Sequence, residues 1–537
     1  RETPILKQDD FYKFHLKNKN HSNFFSNYFS MVVNNGSFLK NDTALLVASH
    51  AIGDFIRGDN DLIVKNNRLF FTINSQFGYH GLLPHNRKFI YFPLSNSFES
   101  IYYDGSINYK KFKKNLYRCD SKSNFFFLKS LSNFEKKYKN LSNKNLSEIE
   151  RCLYIHNAQL VDNFNKNNFI GEKTNQPEKK YLRKLQIKII NVLENNKNNK
   201  SNAKNLVKFS FYYQGLFYLC DYDYKNNKIF NLEKIKSKIY KQAILGKLFF
   251  NYFDEKVPVI NLGNLSEKNK IKNINLKNFQ NLDKNMKSVI LKENSTYLLK
   301  LKDEMLYNHR IIFNSFNTKI VINGKLKEKD KLFFFDSNDI DSKKLSPARF
   351  DENLLTGCVS FVDVIFLGGK LKSSGMACED SINILNSYGK IDEISISDSK
   401  FDALDIDHSN LSIQKVLIQR AGNDCLDFSF GNYSIKNSDV SFCADKGLSA
   451  GEQSHVTINN FIGSNLFYGI VSKDSSDVTI ENALLSNVNY CLSAYNKKQE
   501  FDGAKLILNK LNCKEYLNFK KVEKNSKILI VNEKISN

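Results

Sequence analysis

Apolar residues recur at a fixed spacing along the C-terminal part of the chain. Leu404, Leu426, Leu448, Ile470 and Leu492 stand 22 residues apart in succession, and Ile382 keeps that spacing one step earlier. Each follows a small residue: Ser381, Ala403, Cys425, Gly447, Gly469 and Cys491. A period in the twenties predicts a solenoid, whose turns bury their apolar side only by stacking on one another. Within a repeat the alternation is that of strands: Leu404 and Ile406 share one face, as do Leu426 and Phe428. A second ladder, Ile391, Ile413 and Ile435, runs at the same period. It resumes at Ile458 and Ile480 shifted by one residue, as a small loop insertion would cause. Gly422-Asn423-Asp424, Gly431-Asn432 and Asp474-Ser475-Ser476-Asp477 supply turn residues between strands. The pattern therefore predicts a parallel β-helix over residues 311–515, with about six to eight rungs. Ile312–Phe335 and Cys358–Lys372 read as its less regular early rungs.

The rest of the chain lacks this period. At 537 residues and 41% hydrophobic content it has room for more than one domain. Residues 1–118 mix strand-like aromatic runs, Arg68–Ile73 and Lys88–Phe92, with an apolar stretch, Ala44–Ile56, that fits a helix. Residues 119–256 read as a helical connector. Leu146–Phe164 and Lys179–Leu193 there place apolar residues three and four apart. Residues 257–310 turn strand-like again, at Val257–Leu262 and Ser288–Leu301, and are expected to form a cap or first rungs. Residues 516–537 are expected to cover the other end, because an open β-helix end is an unpaired strand edge.

Laying the rungs in register exposes a polar irregularity. Asp380, Asp402 and Asp424 fall in one column, continued by Lys446, Tyr468 and Tyr490. Asn383, Asp405 and Asp427 fall in a second, with Asp407 and His408 beside them and Glu452 and His455 further on. Carboxylates stacked at a strand spacing of about 4.8 Å repel by ~1–3 kcal/mol. A divalent cation, a bound proton or a nearby Lys or Arg would offset this. Asp402, Asp424 and Asp380 are thus candidate ligands for Ca²⁺, a hard ion that takes oxygen donors. Asp405, Asp427 and Asp407, with Lys446 and His408, are candidate acid–base groups for cleaving a glycosidic or uronate linkage. Arg420, Lys473 and Tyr468 are candidates for holding the sugar. The competing reading is that Asp-rich turns are ordinary punctuation, bonding their own backbone.

Charge and cysteines bound the alternatives. The net charge of +23 suits a polyanion such as an anionic polysaccharide or a cell envelope. It equally suits a general Lys/Asn bias, since Asn195–Lys204, Lys225–Lys228 and Lys268–Lys272 are dispersed. No zinc-finger spacing, RNP motif or helix-turn-helix is present, so nucleic acid is not expected as a partner. Nine cysteines, none in a CxxC, predict buried thiols rather than a disulfide ladder and leave a cytoplasmic home open. No apolar run reaches the roughly 18 residues of a membrane span. Arg1 in place of an initiator methionine suggests a processed or trimmed chain. Oligomeric state is not readable.

Two stretches resemble known proteins. His85-Asn86-Arg87-Lys88-Phe89-Ile90-Tyr91-Phe92-Pro93, followed by Phe98-Glu99-Ser100-Ile101-Tyr102-Tyr103-Asp104-Gly105, resembles the CotH spore-coat kinase family, with Gly58-Asp59 upstream similar to its acidic position. That likeness implies an α/β atypical kinase using ATP and Mg²⁺, with Asp104 a metal ligand, Asp59 a catalytic or metal-site acid, and His85 and Asn86 opening the motif. The family's second Asp is Ser106 in this chain, and no glycine-rich phosphate loop is visible. The repeats around Asp402–Asp407, Gly422–Asp427, Asp445–Glu452 and Gly469–Asp474 resemble the right-handed β-helix regions that accompany CotH-like domains. The likeness implies right-handedness and a surface or secreted location. Three functions are therefore expected in order: binding or processing of a polysaccharide, CotH-type phosphoryl transfer, and a structural surface or assembly role.

Overall fold

The structure is a computed structural model. It describes residues 3–8, 31–57, 88–94, 97–101, 177–195, 200, 206–223, 226, 228–252, 255–266, 271–283, 286–292, 295–301, 307–314, 318–336 and 349–535. The chain divides into two compact units, Arg1–Lys268 with Glu352–Leu354, and Asn269–Asp351 with Leu355–Asn537.

In the first unit, helix α1 (Asp42–Arg57) buries Ala44, Leu45, Val47, Ala48, Ala51 and Ile52, the helical stripe expected of the Ala44–Ile56 stretch. Asn41 caps it, its Oδ1 accepting the Ala44 N–H at 2.9 Å. The helix packs on a four-stranded sheet in the order Ile260–Asn264, Leu206–Tyr213, Leu216–Asp223, Lys228–Ile235. Close approach depends on Gly263, where a Cβ would stand 2.2 Å from the Gly53 nitrogen. A second sheet runs Met31–Val33, Ile5–Gln8, Lys88–Phe92, Ser97–Ile101.

The connector is helical only in part. Helix α2 (Pro177–Glu194) matches the Lys179–Leu193 pattern, and helix α3 (Ser237–Ile244) follows later, but residues 206–235 form three antiparallel strands. Their signal is the alternation of buried Phe209, Phe211 and Tyr213 around a tight turn with positive φ at Gln214 and Gly215. Arg68–Ile73 and Leu146–Phe164 lie outside the described residues.

The second unit is a parallel β-solenoid of about ten turns over residues 272–530. It starts earlier than residue 311: Lys272–Ile274 already pairs in parallel with Tyr297–Leu299. It also runs on through the expected tail cap, where Lys505–Val522 pairs in parallel with Lys527–Ile535 as a further coil. The 22-residue ladder is a true register. Ile382 pairs with Leu404 and Leu404 with Leu426, Ile391 with Ile413 and Ile413 with Ile435, Ile458 with Ile480, and Ile470 with Leu492. All of these side chains are buried in one continuous core.

Corners recur as faithfully as strands. Asn386, His408, Phe430, Glu452 and Asp474, 22 apart, all have positive φ, so a left-handed residue recurs at this edge of each coil, joined by a second at Gln453 and Ser475. The largest departure from the period within the regular ladder is where Asp477 pairs with Lys505, 28 positions on. The extra residues form the loop 496–503.

The cysteine expectation is corrected. Three cystines, Cys358–Cys378, Cys425–Cys443 and Cys491–Cys513, have Cα separations of 5.3, 5.6 and 6.4 Å. All six residues belong to the buried core, so the cystines bridge across it rather than stacking along a column. Among the described residues Cys220 alone is a free thiol, buried in the first unit. No helix among them is long and apolar enough to cross a membrane.

Candidate functional site

The polar columns read from the sequence exist in the solenoid. The first sets Asp380 beside Asp402, continues through Asp424 and Lys446, and reaches Tyr468 beside Tyr490. Its acids bond to the following rung. Asp402 Oδ1 accepts the Asp424 N–H at 2.8 Å and the Asn423 amide at 2.6 Å. Asp424 Oδ1 accepts the Lys446 N–H at 3.1 Å, and the Lys446 ammonium lies 3.1 and 3.3 Å from its two oxygens. The same ammonium is held by Asp445. Tyr468 and Tyr490 stack with ring centroids 4.9 Å apart and both remain partly exposed.

From Ser360 to Ser493 the second column is Ser360, Asn383, Asp405, Asp427, Ser449, Val471 and Ser493. Five of these seven are fully buried, and only Asp405 and Asp427 reach solvent. The Asn383 amide donates to Asp405 Oδ2 at 2.9 Å and lies 3.4 Å from Asp407 Oδ2. At the other end Lys473 Nζ donates to Ser449 Oγ at 2.8 Å and lies 3.6 Å from Asp427 Oδ1. Glu452 completes the row: Ser429 Oγ donates to its Oε2 at 2.6 Å, and Lys498 Nζ lies 2.6 Å from its Oε1. Lys498 comes from the inserted loop. The loop is anchored on buried Asp474, whose Oδ1 accepts the N–H groups of Lys497 and Lys498 at 2.6 and 2.8 Å.

Burial and mutual charge separate the protonation states. Burial, then the charges of Asp424, Asp380 and Asp427, push Asp402 up to about 8, against the bond from the Asp424 N–H. Burial and Asp427 push Asp424 up to about 6, with Lys446 and Lys473 pulling the other way. Burial works against the charge on Lys473, but Asp427, Asp424 and Glu452 outweigh it and raise its pKa. Burial likewise opposes the charge on Lys446, and Asp424 and Asp445 raise it. Burial would raise Glu452, yet the bonds from Lys498 and Ser429 hold it below the ordinary carboxylate value.

These states limit the chemistry. Both lysines stay protonated near neutral pH, so Lys446 is a counter-ion and donor rather than the base of an elimination. Ser449 and Lys473 have the spacing of a nucleophile and its base, but a charged ammonium cannot take a proton and Ser449 is fully buried. Asp402 is the group that holds a proton at neutral pH, and it is 9% exposed. The donor set does not fit a calcium ion. Lys446 and backbone N–H groups already face Asp424 and Asp402, and among the described residues no group of three or more His, Cys, Asp or Glu side chains converges.

The remaining candidates lie elsewhere. His408 is exposed and stacks on Phe430, with ring centroids 4.4 Å apart. Arg420 stands at another corner, its Nε and Nη2 held by Asp398 at 2.5 and 3.0 Å. His455 is exposed and 3.4 Å from Asp477. Asp59, His85, Asn86 and Asp104 lie outside the described residues.

Sequence reading passed over Asn383 as a donor, Ser429, Lys498 and Gly451. Two signals point to the last two. Lys498 sits in the segment that breaks the period, and Gly451 is the one glycine in the column of Asp407, Ser429, Lys473 and Tyr495. No family model, curated protein or solved structure matches the chain.

Proposed function

We propose that the solenoid is a polysaccharide-binding module that recognises a hydroxyl-rich glycan of a cell surface or envelope. The observation that carries this reading is the exposure of Asp405 and Asp427 between Asn383 and Ser449, their neighbours in the column, which are fully buried. Two adjacent carboxylates offer acceptors for neighbouring sugar hydroxyls, and charged acceptors make the stronger hydrogen bonds. Tyr468 and Tyr490, partly exposed, add aromatic surface of the kind sugar rings pack on. Recognition is favoured over cleavage because Lys473 offsets the charge of Asp427, one of the candidate acid–base groups, while Lys446 and Lys498 pair with the neighbouring Asp424 and Glu452. The three cystines support an oxidising compartment, as a surface or secreted protein would meet. The CotH-type kinase reading rests on its sequence resemblance alone.

The test is binding of soluble envelope glycans to the full chain by calorimetry. Asp405→Asn and Asp427→Asn are expected to weaken binding about tenfold each, the loss of a charge-assisted hydrogen bond of ~1.5 kcal/mol. Wild-type affinity in both variants would remove the assignment.

A further inference from the structure

We propose that Lys473 is a built-in cation for the acidic row, brought to it through the space left by Gly451. Lys473 belongs to the column of Asp407, Ser429, Gly451 and Tyr495, but its ammonium acts on residues of other rungs: Ser449 at 2.8 Å and Asp427 at 3.6 Å. Asp427 lies two periods back, so the stem must cross the rung that carries residue 451. A Cβ there would stand 2.7 Å from Lys473 Cε and 3.1 Å from its Cγ. Gly451 has an ordinary φ, so this glycine answers to space and not to backbone conformation. Lys473 is 5% exposed, and a buried ammonium persists only among compensating charges. Asp427, Asp424 and Glu452 provide them.

Ser449, Asp427, Asp424 and Glu452 are oxygen donors of the kind a hard divalent ion takes. Lys473 supplies positive charge among them, from the protein itself. The row therefore holds its geometry without metal, and glycan binding on Asp405 and Asp427 is metal-independent. That last consequence rests on the function proposed above; the role of Lys473 does not.

Thermal unfolding of the full chain, with a chelator or with millimolar Ca²⁺, tests the role. Wild type is expected to melt at the same temperature in both. Lys473→Ala is expected to melt several degrees lower in chelator and to recover part of the loss in Ca²⁺, which enters the vacated space. Gly451→Ala, which pushes the stem off its path, is expected to melt lower as well. A wild-type melting temperature that rises in Ca²⁺ overturns the proposal, as does a Lys473→Ala loss that Ca²⁺ leaves untouched, which would make the lysine a packing residue. Should Lys473→Ala not fold, the wild-type comparison and Gly451→Ala still decide. Absence of glycan binding in wild type would remove the binding function and leave this melting series to judge Lys473 separately.

Discussion

Lys473→Met deletes the charge and keeps most of the stem lying over Gly451, so it isolates the electrostatic part of the interaction. Lys473 is 5% exposed, while the Asp427 side chain keeps 23% of its surface in water. Removing one partner of a fully buried pair costs about 3–5 kcal/mol, because the other charge is stranded. The access of Asp427 to solvent lets water restore part of its solvation, so the loss is reduced to roughly 2–3 kcal/mol. At about 2–4 °C per kcal/mol for a unit of this size, the melting temperature is expected to fall by roughly 4–12 °C. Asp427→Asn in the Lys473→Met background removes the stranded charge and is expected to regain stability, a coupling of roughly 1–2 kcal/mol. Urea unfolding of wild type, both single variants and the double variant, followed by circular dichroism, measures that term. Simple addition of the two single losses would refute the coupling.

Three further outcomes follow from the same network. Asp402 is pushed up to about 8 from an ordinary 3.8, so between those values the folded chain holds a proton that the unfolded chain releases. Its contribution is full below about pH 4 and is lost as pH rises towards 8. Asp402→Asn should therefore flatten the fall in melting temperature across that range, and an unchanged slope would contradict the assignment. Peptide mapping without reduction should recover Cys358 linked to Cys378, Cys425 to Cys443 and Cys491 to Cys513. Reduction should lower stability by about 3 kcal/mol for each loop of this length, and alkylation of all six thiols in native protein would contradict the pairing. Tyr468→Ala should weaken glycan binding severalfold with little change in melting temperature, since its ring is partly exposed; unaltered affinity would remove it from the binding face.

Much of the solenoid was legible because parallel coils repeat both core and corner. The spacing of Ile382 through Leu492 gave the rung length, and Ile391, Ile413 and Ile435 gave a second side of the coil. Its limits were less visible. Strands such as Lys272–Ile274 join coils of irregular length, which a fixed period cannot detect. The cystines escaped for a related reason. Cys425 and Cys443 are 18 residues apart and lie in different columns of the coil. Cys491 and Cys513 are one period apart, but the inserted loop shifts the frame and sets Cys513 beside Leu485. In the candidate site, the columns followed from register alone, whereas the partners did not. Whether Asp424 meets a metal or a lysine depends on a side chain reaching across rungs, and the path of Lys473 depends on an absent Cβ at Gly451.

The most direct test of the central claim is calorimetric titration of the full wild-type chain with soluble envelope glycans, beside the Asp405→Asn/Asp427→Asn double variant, in the presence of chelator. The account predicts saturable binding by wild type and a drop of about a hundredfold in the double variant, the combined loss of two charge-assisted hydrogen bonds. Equal affinity in the two proteins, or no binding by wild type, would contradict it.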